Sequence, residues 1–192
     1  MSPVSHRSFA ALLCVLVSFG PVRLSAQEPA GGVVSGLWWE VSATAGSARL
    51  TCDICDPTRE LGPSVGVALG AYASDRLRVG VEVDAWTNVD GDVRESVYGA
   101  GFVAQLHPRP GSGLHVIGGL GWSGYRAEDF GYNAVRLTLG AGWDLPLTES
   151  WVTGNRVTLD GSSYGSLNNA GAEVTPSVGL SVLRFGVYLR RR

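Results

Sequence analysis

Apolar and polar residues alternate with a period of two along most of the chain after residue 26. In the clearest segment, residues 77–85, an apolar face opposes a face of charged residues and glycine: Leu77, Val79, Val81, Val83 and Ala85 against Arg78, Gly80, Glu82 and Asp84. A repeat of two is that of a β-strand, whose successive side chains point to opposite faces. We find no segment with apolar residues at helical spacing over three turns, so the pattern predicts an all-β chain.

Eight segments follow this pattern and predict eight strands, at residues 34–50, 62–74, 77–88, 94–107, 113–124, 132–146, 151–161 and 174–190. The connections alternate in length: short ones are predicted at 74–76, 108–112 and 147–150, and longer polar ones at 51–61, 89–93, 125–131 and 162–173. An even number of antiparallel strands with short turns at one end and longer loops at the other is typical of an up-and-down transmembrane β-barrel. A change of phase near Val182 indicates a β-bulge in the last strand.

The composition excludes several other classes. Charged residues make up 17% of the chain, and its 27 glycines among 192 residues are about twice the usual share of roughly 7%. Disordered, collagen-like and coiled-coil chains have other compositions. With no Lys and a net charge of −2, nucleic acid is not an expected partner. We interpret the basic triplet at residues 190–192 as a solvated chain end.

Residues 1–26 have the pattern of a cleaved secretory signal peptide. Arg7 precedes a compact apolar run at residues 9–17, and small residues lead to Ala26 at the expected cleavage point. The run is too short to span a bilayer as a helix, and no later stretch approaches 18 consecutive apolar residues. We therefore expect one domain, a β-barrel at residues 27–192.

In lipid, a sheet must close, because an open sheet would leave unsatisfied backbone groups at two edges. The apolar face is then expected to contact lipid, and eight strands enclose a lumen just wide enough to be filled by side chains. The charged residues predicted to face this lumen have both signs and can pair across it: Glu40, Arg78, Glu82, Asp84, Arg136, Asp144, Arg156, Asp160 and Arg184.

Aromatic residues offer a second indication, since membrane barrels carry them at both lipid–water interfaces. If the N terminus is periplasmic, the lipid-facing interface aromatics are predicted near the periplasmic rim (Trp39, Trp143 and Trp151) and near the outer rim (Tyr98 and Trp122). Three further aromatic residues fall on the lumen face and are expected to pack inside: Trp38, Trp86 and Tyr132.

The pair Cys52 and Cys55 lies in the first long loop. In an exported protein a disulfide that staples the loop is the favoured interpretation. Two free thiols, or a metal or redox site, remain alternative interpretations of the pair. Zinc would need two more ligands, and the two histidines after the signal peptide, His107 and His115, are expected at the opposite end of the barrel. We interpret them as hydrogen-bonded structural residues.

We predict no catalytic, cofactor-binding or metal site, and no enzymatic activity. Some small outer-membrane barrels act on lipids with a Ser and a His on the lipid-facing surface. Neither His107 nor His115 has a Ser two residues away on its own strand face. Glycine-spaced stretches such as residues 118–121 lack the helix that a phosphate-binding loop requires.

With a signal peptide, eight amphipathic strands and alternating connections, the chain resembles the small outer-membrane barrels of the OmpA-like and OmpX-like type over residues 34–192. The resemblance implies an up-and-down barrel in the outer membrane of a Gram-negative cell. Such barrels commonly end in an aromatic residue that the assembly machinery recognises, whereas this chain ends in three arginines. The resemblance rests on the pattern rather than on a specific motif, so it implies location and fold and little about activity.

Three functions are compatible with the sequence. The first is a structural or surface-interaction protein whose polar lumen is plugged and whose loops face outward. The second is a porin-like passage for small apolar molecules through the barrel wall, and the third is a secreted soluble barrel that holds a ligand on an inward apolar face. The expected partners are outer-membrane lipid, the outer-membrane assembly machinery and an unidentified loop ligand. We expect a monomer.

Overall fold

The protein folds into one antiparallel β-barrel. The structure, a computed structural model, describes residues 36–192 except 54, 56 and 57; the predicted signal peptide, residues 1–26, lies outside the described residues. The strands are β1 (Leu37–Thr51), β2 (Glu60–Tyr72), β3 (Leu77–Asp90), β4 (Val93–Leu106), β5 (Leu114–Ala127), β6 (Phe130–Pro146), β7 (Trp151–Ser162), β8 (Gly165–Asn169) and β9 (Ala172–Arg191). Within the described ranges, no helix is long and apolar enough to span a membrane.

The eight long strands form a closed barrel. Each of β1 to β6 pairs antiparallel with the next strand in the sequence order, and β9 pairs with both β7 and β1. The closing pair runs from Trp39 opposite Arg191 to Thr51 opposite Gly179. The sheet therefore has no free edge along the barrel wall, which confirms the predicted all-β, eight-stranded antiparallel up-and-down fold.

The connections differ from the prediction at one end of the barrel. The loops predicted at 89–93 and 125–131 are two-residue hairpins, because β3 and β4 pair as far as Asp90 opposite Val93 and β5 and β6 as far as Ala127 opposite Phe130. The region predicted as a loop at 162–173 contains β8, which pairs with the start of β9. The predicted bulge near Val182 is wrong, since β9 keeps an unbroken register with β7 through this residue.

We call the two ends of the barrel the terminal end and the loop end. The terminal end holds Leu37, Arg191 and the short connections at 73–76, 107–113 and 147–150. The loop end holds the connection between β1 and β2, the two tight hairpins and the β8–β9 hairpin. The connections lie at the ends that the prediction gave them, but the predicted difference in length does not hold, because the tight hairpins at the loop end are the shortest connections.

The apolar face of the strands points outward. Large apolar side chains are exposed all around the wall, including Val67, Leu69, Val81, Phe102, Leu120, Val135, Leu137, Leu139, Phe185 and Val187. The polar face points inward, where most of its charged groups are buried. The third sequence-based hypothesis, a soluble barrel with an inward apolar face, is therefore wrong. Such an exterior requires lipid, because monomeric soluble proteins rarely expose contiguous apolar patches of this extent.

The interior contains apolar clusters toward both ends and a charged layer between them. The larger cluster, toward the loop end, comprises Ala48, Trp86, Val97, Tyr125, Ala127, Tyr132, Ala134, Leu167, Val178, Leu180 and Val182. The smaller cluster, in the terminal half, comprises Trp38, Ala68, Val103 and Ile117, with Tyr72 packed against them. The charged side chains of the middle and terminal half fill the remaining interior, and these form the candidate site.

Candidate functional site

The middle of the lumen holds an ion-pair network centred on Asp84. Arg136 and Arg184 donate to the two carboxylate oxygens of Asp84 at 2.5 and 2.6 Å. Arg184 also donates to Asp160, which accepts a further hydrogen bond of 2.6 Å from the Thr138 hydroxyl. Because these groups come from β3, β6, β7 and β9, the network connects strands that are not neighbours in the wall.

A second part of the network surrounds Arg156 of β7. This guanidinium donates to Glu40 at 2.9 Å, to Glu82 at 3.0 Å and to the Ser42 hydroxyl at 3.1 Å. Glu40 is only 2% exposed, so its charge depends on such partners rather than on water. Arg156 therefore joins β7 to β1 and β3 across the lumen.

Asp144 forms the centre of the network near the terminal end. Arg190 and Arg78 approach its carboxylate oxygens at 2.8 and 3.2 Å, and the Tyr188 hydroxyl donates to it. His115 Nδ1 lies 3.3 Å from one oxygen, and His107 Nε2 lies 3.4 Å from the other. The two imidazole rings lie side by side with centroids 5.2 Å apart. We call His107, His115 and Asp144 the histidine–aspartate cluster.

The structure brings together the nine charged residues that the sequence assigned to the lumen. All of them participate in the ion pairs described above, and those with the lowest exposure are Glu40, Asp160, Arg78, Arg136 and Arg184. Their alternation with apolar residues is what places them inside, since every second side chain of a strand points to the same face.

Arg190 is a member of the network that the sequence analysis missed. The interpretation of residues 190–192 as a solvated end is wrong for this residue, which has 0% exposure and donates to Glu40 at 3.1 Å and to Asp144 at 2.8 Å. Arg191 and Arg192 are exposed. The alternation could have predicted its position, because Arg190 lies on the same face of β9 as Arg184 and Tyr188.

Glycines on the lumen face make room for the large side chains of the interior. Gly70 and Gly80 are directly paired on β2 and β3, and a Cβ atom at either would lie 2.7 or 2.9 Å from the ring of Trp38. A Cβ at Gly99 would overlap the guanidinium of Arg136. At Gly70 and Gly80 a Cβ would also overlap a backbone carbonyl oxygen of the paired strand, that of Val79 or Leu69. These two positions therefore need glycine, whereas at Gly99 the obstacle is the end of a flexible side chain.

The loop half of the lumen is closed by aromatic and aliphatic packing. Trp86 is 1% exposed, and its indole N–H donates to the carbonyl oxygen of Gly46 at 3.0 Å. Tyr125 lies three residues beyond Trp122, outside the membrane-spanning part, and donates to Glu95 at 2.9 Å. Burial and this acceptor raise the pKa of the Tyr125 hydroxyl, so it stays protonated.

Beside the charged layer, a gap lined by residues such as Glu82, Gly101, Arg136 and Thr158 has a volume of about 10 Å³. That volume holds at most a single water molecule.

The predicted interface aromatics all lie on the outer face, in two groups. At the terminal end Trp39 and Trp151 are in edge contact with ring centroids 5.3 Å apart, and Trp143 is 49% exposed. Toward the loop end Tyr98 and Trp122 have centroids 5.4 Å apart. The guanidinium of Arg191 lies 6.0 Å from the Trp151 ring, so a cation accompanies the aromatic group at the terminal end.

The loop between β1 and β2 is tied to the barrel in two ways. Cys52 and Cys55 form a disulfide with their Cα atoms 5.1 Å apart, as the sequence predicted. Arg59 donates to the carbonyl oxygen of Ser47 at 2.9 Å and to the Ser181 hydroxyl at 3.1 Å, and so bridges β1 and β9.

Comparison with known proteins shows the fold. No protein-family model matches the chain, and no curated protein matches it by sequence. Among solved structures, Neisserial surface protein A superposes with a TM-score of 0.57 at 18% identity, covering 82% of this chain and 98% of that one. Ail, the attachment invasion locus protein of Yersinia pestis, gives 0.50 at 12% identity, covering 80% and 97%. The chain thus has the fold of the small outer-membrane barrels that its sequence resembles.

This fold and the apolar exterior together confirm the predicted location in the outer membrane. The fold says nothing of a specific activity, because one architecture can carry unrelated functions. The lumen and the loop end therefore decide between the remaining hypotheses.

Proposed function

We propose that this protein is a structural or surface-interaction component of the outer membrane whose lumen is plugged. The terminal end faces the periplasm, and the loop end faces outward. In this arrangement the exposed binding surface consists of the connection between β1 and β2, the two tight hairpins and the β8–β9 hairpin. The protein acts as a monomer inserted by the outer-membrane assembly machinery, and the barrel serves as the anchor.

The observation that carries this proposal is the filling of the lumen over its length. The terminal half contains Trp38 and Arg190, both with 0% exposure, and the loop half contains Trp86 with 1%. Between them the arginines and carboxylates are held by direct ion pairs. A hydrated ion would have to break several of these buried pairs, each strongly unfavourable to separate.

Passage through the side of the barrel has weaker support. An apolar groove of about 550 Å³ lies on the outer face over β2 to β5, between Leu69, Phe102 and Leu120. The strands beneath it are paired without interruption, from Asp90 opposite Val93 to Leu77 opposite Leu106 and from Glu95 opposite Ala127 to Leu106 opposite Val116. The groove therefore belongs to the lipid-facing surface.

The shared fold with a surface protein and an attachment protein is consistent with a role at the cell surface. Ail is described as an attachment invasion locus protein, and the chain described here shares its fold. The loop end carries polar, exposed residues on a firmly tied framework, because Arg59 and the disulfide fix the first loop. Such a surface can present a defined shape to a partner outside the cell.

Single-channel recording tests the plugged lumen. The purified barrel is inserted into planar bilayers, with a general porin in the same bilayers as the positive control. We expect no reproducible conductance steps from the barrel under conditions in which the porin conducts. Reproducible steps that scale with the amount of inserted barrel would contradict the plugged lumen and would favour a channel.

A further inference from the structure

The plug does not require the two imidazole groups of the histidine–aspartate cluster. Pairing of arginines with carboxylates already neutralises the lumen, yet this end adds two imidazoles to one carboxylate. The ligand atoms of His107, His115 and Asp144 all lie within 4.8 Å of one another. Two imidazole nitrogens and one carboxylate oxygen are a common donor set for zinc, with a further position open to water.

The contacts of Asp144 with the imidazoles show where an ion would sit. His107 Nε2 is 3.4 Å from one carboxylate oxygen and accepts at 2.8 Å from the Arg78 guanidinium, so this nitrogen presents its lone pair. A nitrogen lone pair and a carboxylate oxygen that face each other at this distance repel unless a proton or a cation lies between them. The site thus favours a positive charge at this position.

Arg78 currently supplies that charge. One nitrogen of its guanidinium lies 2.8 Å from His107 Nε2 and 3.2 Å from Asp144. A guanidinium that touches two of the three ligands occupies the place that a metal ion would take. Since arginine has a long flexible stem, its head group can turn toward the periplasmic opening when an ion replaces it.

Two further observations point to a ligand at this place. The side chain of His107 is 13% exposed, so the cluster is open to the terminal end, while His115 is buried. Gln105 of β4 lies two residues before His107 and opposite Arg78 of β3. It is 1% exposed, yet its side-chain carbonyl oxygen has no hydrogen-bond partner among the described residues. A buried acceptor without a partner beside the cluster can accept a hydrogen bond from a water bound to an ion.

We propose that His107, His115 and Asp144 bind a divalent transition-metal ion of the zinc type, in competition with the guanidinium of Arg78. Imidazole nitrogens favour such ions over Ca²⁺ and Mg²⁺, which prefer oxygen ligands. This site is absent from the sequence prediction, in which zinc is an alternative only for the cysteine pair and the histidines lie at the other end of the barrel. Asp144 supplies the ligand that joins them.

Zinc titration of the tag-free, folded barrel in detergent tests the proposal by calorimetry. The chain has three histidines, and one of them, His6, lies in the predicted signal peptide, so background binding by histidine is small. We expect one Zn²⁺ per chain. His107→Gln and His115→Gln should each weaken binding at least about tenfold, since losing even an outer partner of a metal ligand costs about 10–100-fold. Excess Ca²⁺ should not compete.

Two variants make the test specific. Two guanidiniums contact Asp144, those of Arg78 and Arg190, and only that of Arg78 also contacts His107. Arg78→Gln removes this competitor and should bind Zn²⁺ more tightly than the unmodified barrel. Asp92→Asn removes an exposed carboxylate at the loop end and should bind as the unmodified barrel does. Each variant is first shown to be folded by its altered migration on an unboiled gel, and Arg78→Gln provides the test if a histidine variant does not fold.

Three results would overturn the metal site: no saturable Zn²⁺ binding by the unmodified barrel, unchanged affinity in a folded histidine variant, or weaker binding by Arg78→Gln.

Discussion

At the residue scale, the lumen is organised around carboxylates that each contact two guanidiniums. Glu40 contacts Arg156 and Arg190, while Asp84 contacts Arg136 and Arg184. A buried charge is tolerated only when it is paired and hydrogen-bonded. Removal of the Asp84 carboxylate would leave Arg136 without its counter-charge and Arg184 with Asp160 alone. The plug is therefore sensitive to single substitutions at these positions.

Asp84→Asn tests this dependence. The change keeps the size of the side chain but leaves Arg136 and Arg184 facing a neutral amide. We expect the free energy of unfolding, measured by urea denaturation in detergent, to fall by about 3 kcal/mol. The matched control is Glu149→Gln, which neutralises an exposed carboxylate in a terminal-end turn and should change stability by about 0.5 kcal/mol or less. Equal stability of the two variants would show that the pairs contribute little.

Gly80→Ala tests the packing of Trp38. The added methyl group would lie 2.9 Å from the indole ring and close to the backbone of β2, and overpacking of this kind costs about 1–3 kcal/mol. Gly118→Ala is the control, because a Cβ there has nothing within 4 Å and it should be tolerated. The thermal unfolding midpoints of the two variants are compared. A midpoint for Gly80→Ala as high as that of the control would mean that Trp38 and the facing backbone of β2 can both move aside.

The sequence predicts which face of a strand a side chain occupies better than it predicts which residue that side chain contacts. Alternation placed Glu40, Asp84 and Arg156 on the lumen side, because it follows from the geometry of a single strand. It did not predict that Arg156 would contact Glu40, which is 116 positions away. That contact depends on how the strands are staggered when the barrel closes, and no local pattern records this stagger.

At the element scale, the β8–β9 hairpin is the largest departure from the predicted barrel. Its turn, at Ala170 and Gly171, has positive φ angles of 48° and 89°, as a tight two-residue hairpin requires. Leu167 and Val178 point inward and belong to the loop-end cluster, at 7% and 0% exposure. The hairpin thus extends the barrel outward and contributes side chains that close the lumen.

Leu167→Ala tests whether these inward contacts hold the hairpin in place. Loss of a buried leucine side chain costs about 2 kcal/mol or more, so we expect faster hydrogen exchange at the amides of residues 165–178. Val174→Ala, at a position 44% exposed on the same hairpin, is the control and should exchange at the unmodified rate. Unchanged exchange in Leu167→Ala would mean that the backbone pairing of the hairpin holds it without this side chain.

The strand ends at the loop end could not be predicted from hydropathy. The prediction ended a strand where the lipid-facing pattern ends, as at 88 and 124, yet β3 and β5 continue to Asp90 and Ala127. Pairing of backbone groups does not require apolar side chains, and above the membrane there is no lipid to impose them. The turn at Glu128, with φ of 50°, also lacks the glycine or asparagine that usually marks such a position.

At the scale of the whole molecule, the barrel fold was predicted correctly although no family model and no curated protein matches the sequence. Each strand of a barrel in lipid needs an apolar outer face. The alternation is therefore repeated in all eight strands, and this repetition makes the fold predictable. Identities of 18% and 12% to two barrels of the same fold show how little else the fold requires.

Membrane fractionation checks the whole-molecule prediction. We expect the protein in the outer-membrane fraction, and we expect the unboiled sample to migrate differently from the boiled sample on a denaturing gel, because a closed barrel resists unfolding by detergent. Cytoplasmic-membrane and periplasmic marker proteins in the same gradient provide the reference. Recovery with the periplasmic marker would contradict insertion into the membrane.

The ion pairs between the first and last strands have a consequence for folding. Glu40 and Arg190 are 150 positions apart in the sequence and can form their ion pair only when β1 pairs with β9. Until that moment an open sheet carries charges without partners on one face and free backbone groups at two edges, neither of which lipid can accommodate. We therefore expect the β1–β9 pairing and the completion of the plug to occur together, as the last step in the folding of the barrel.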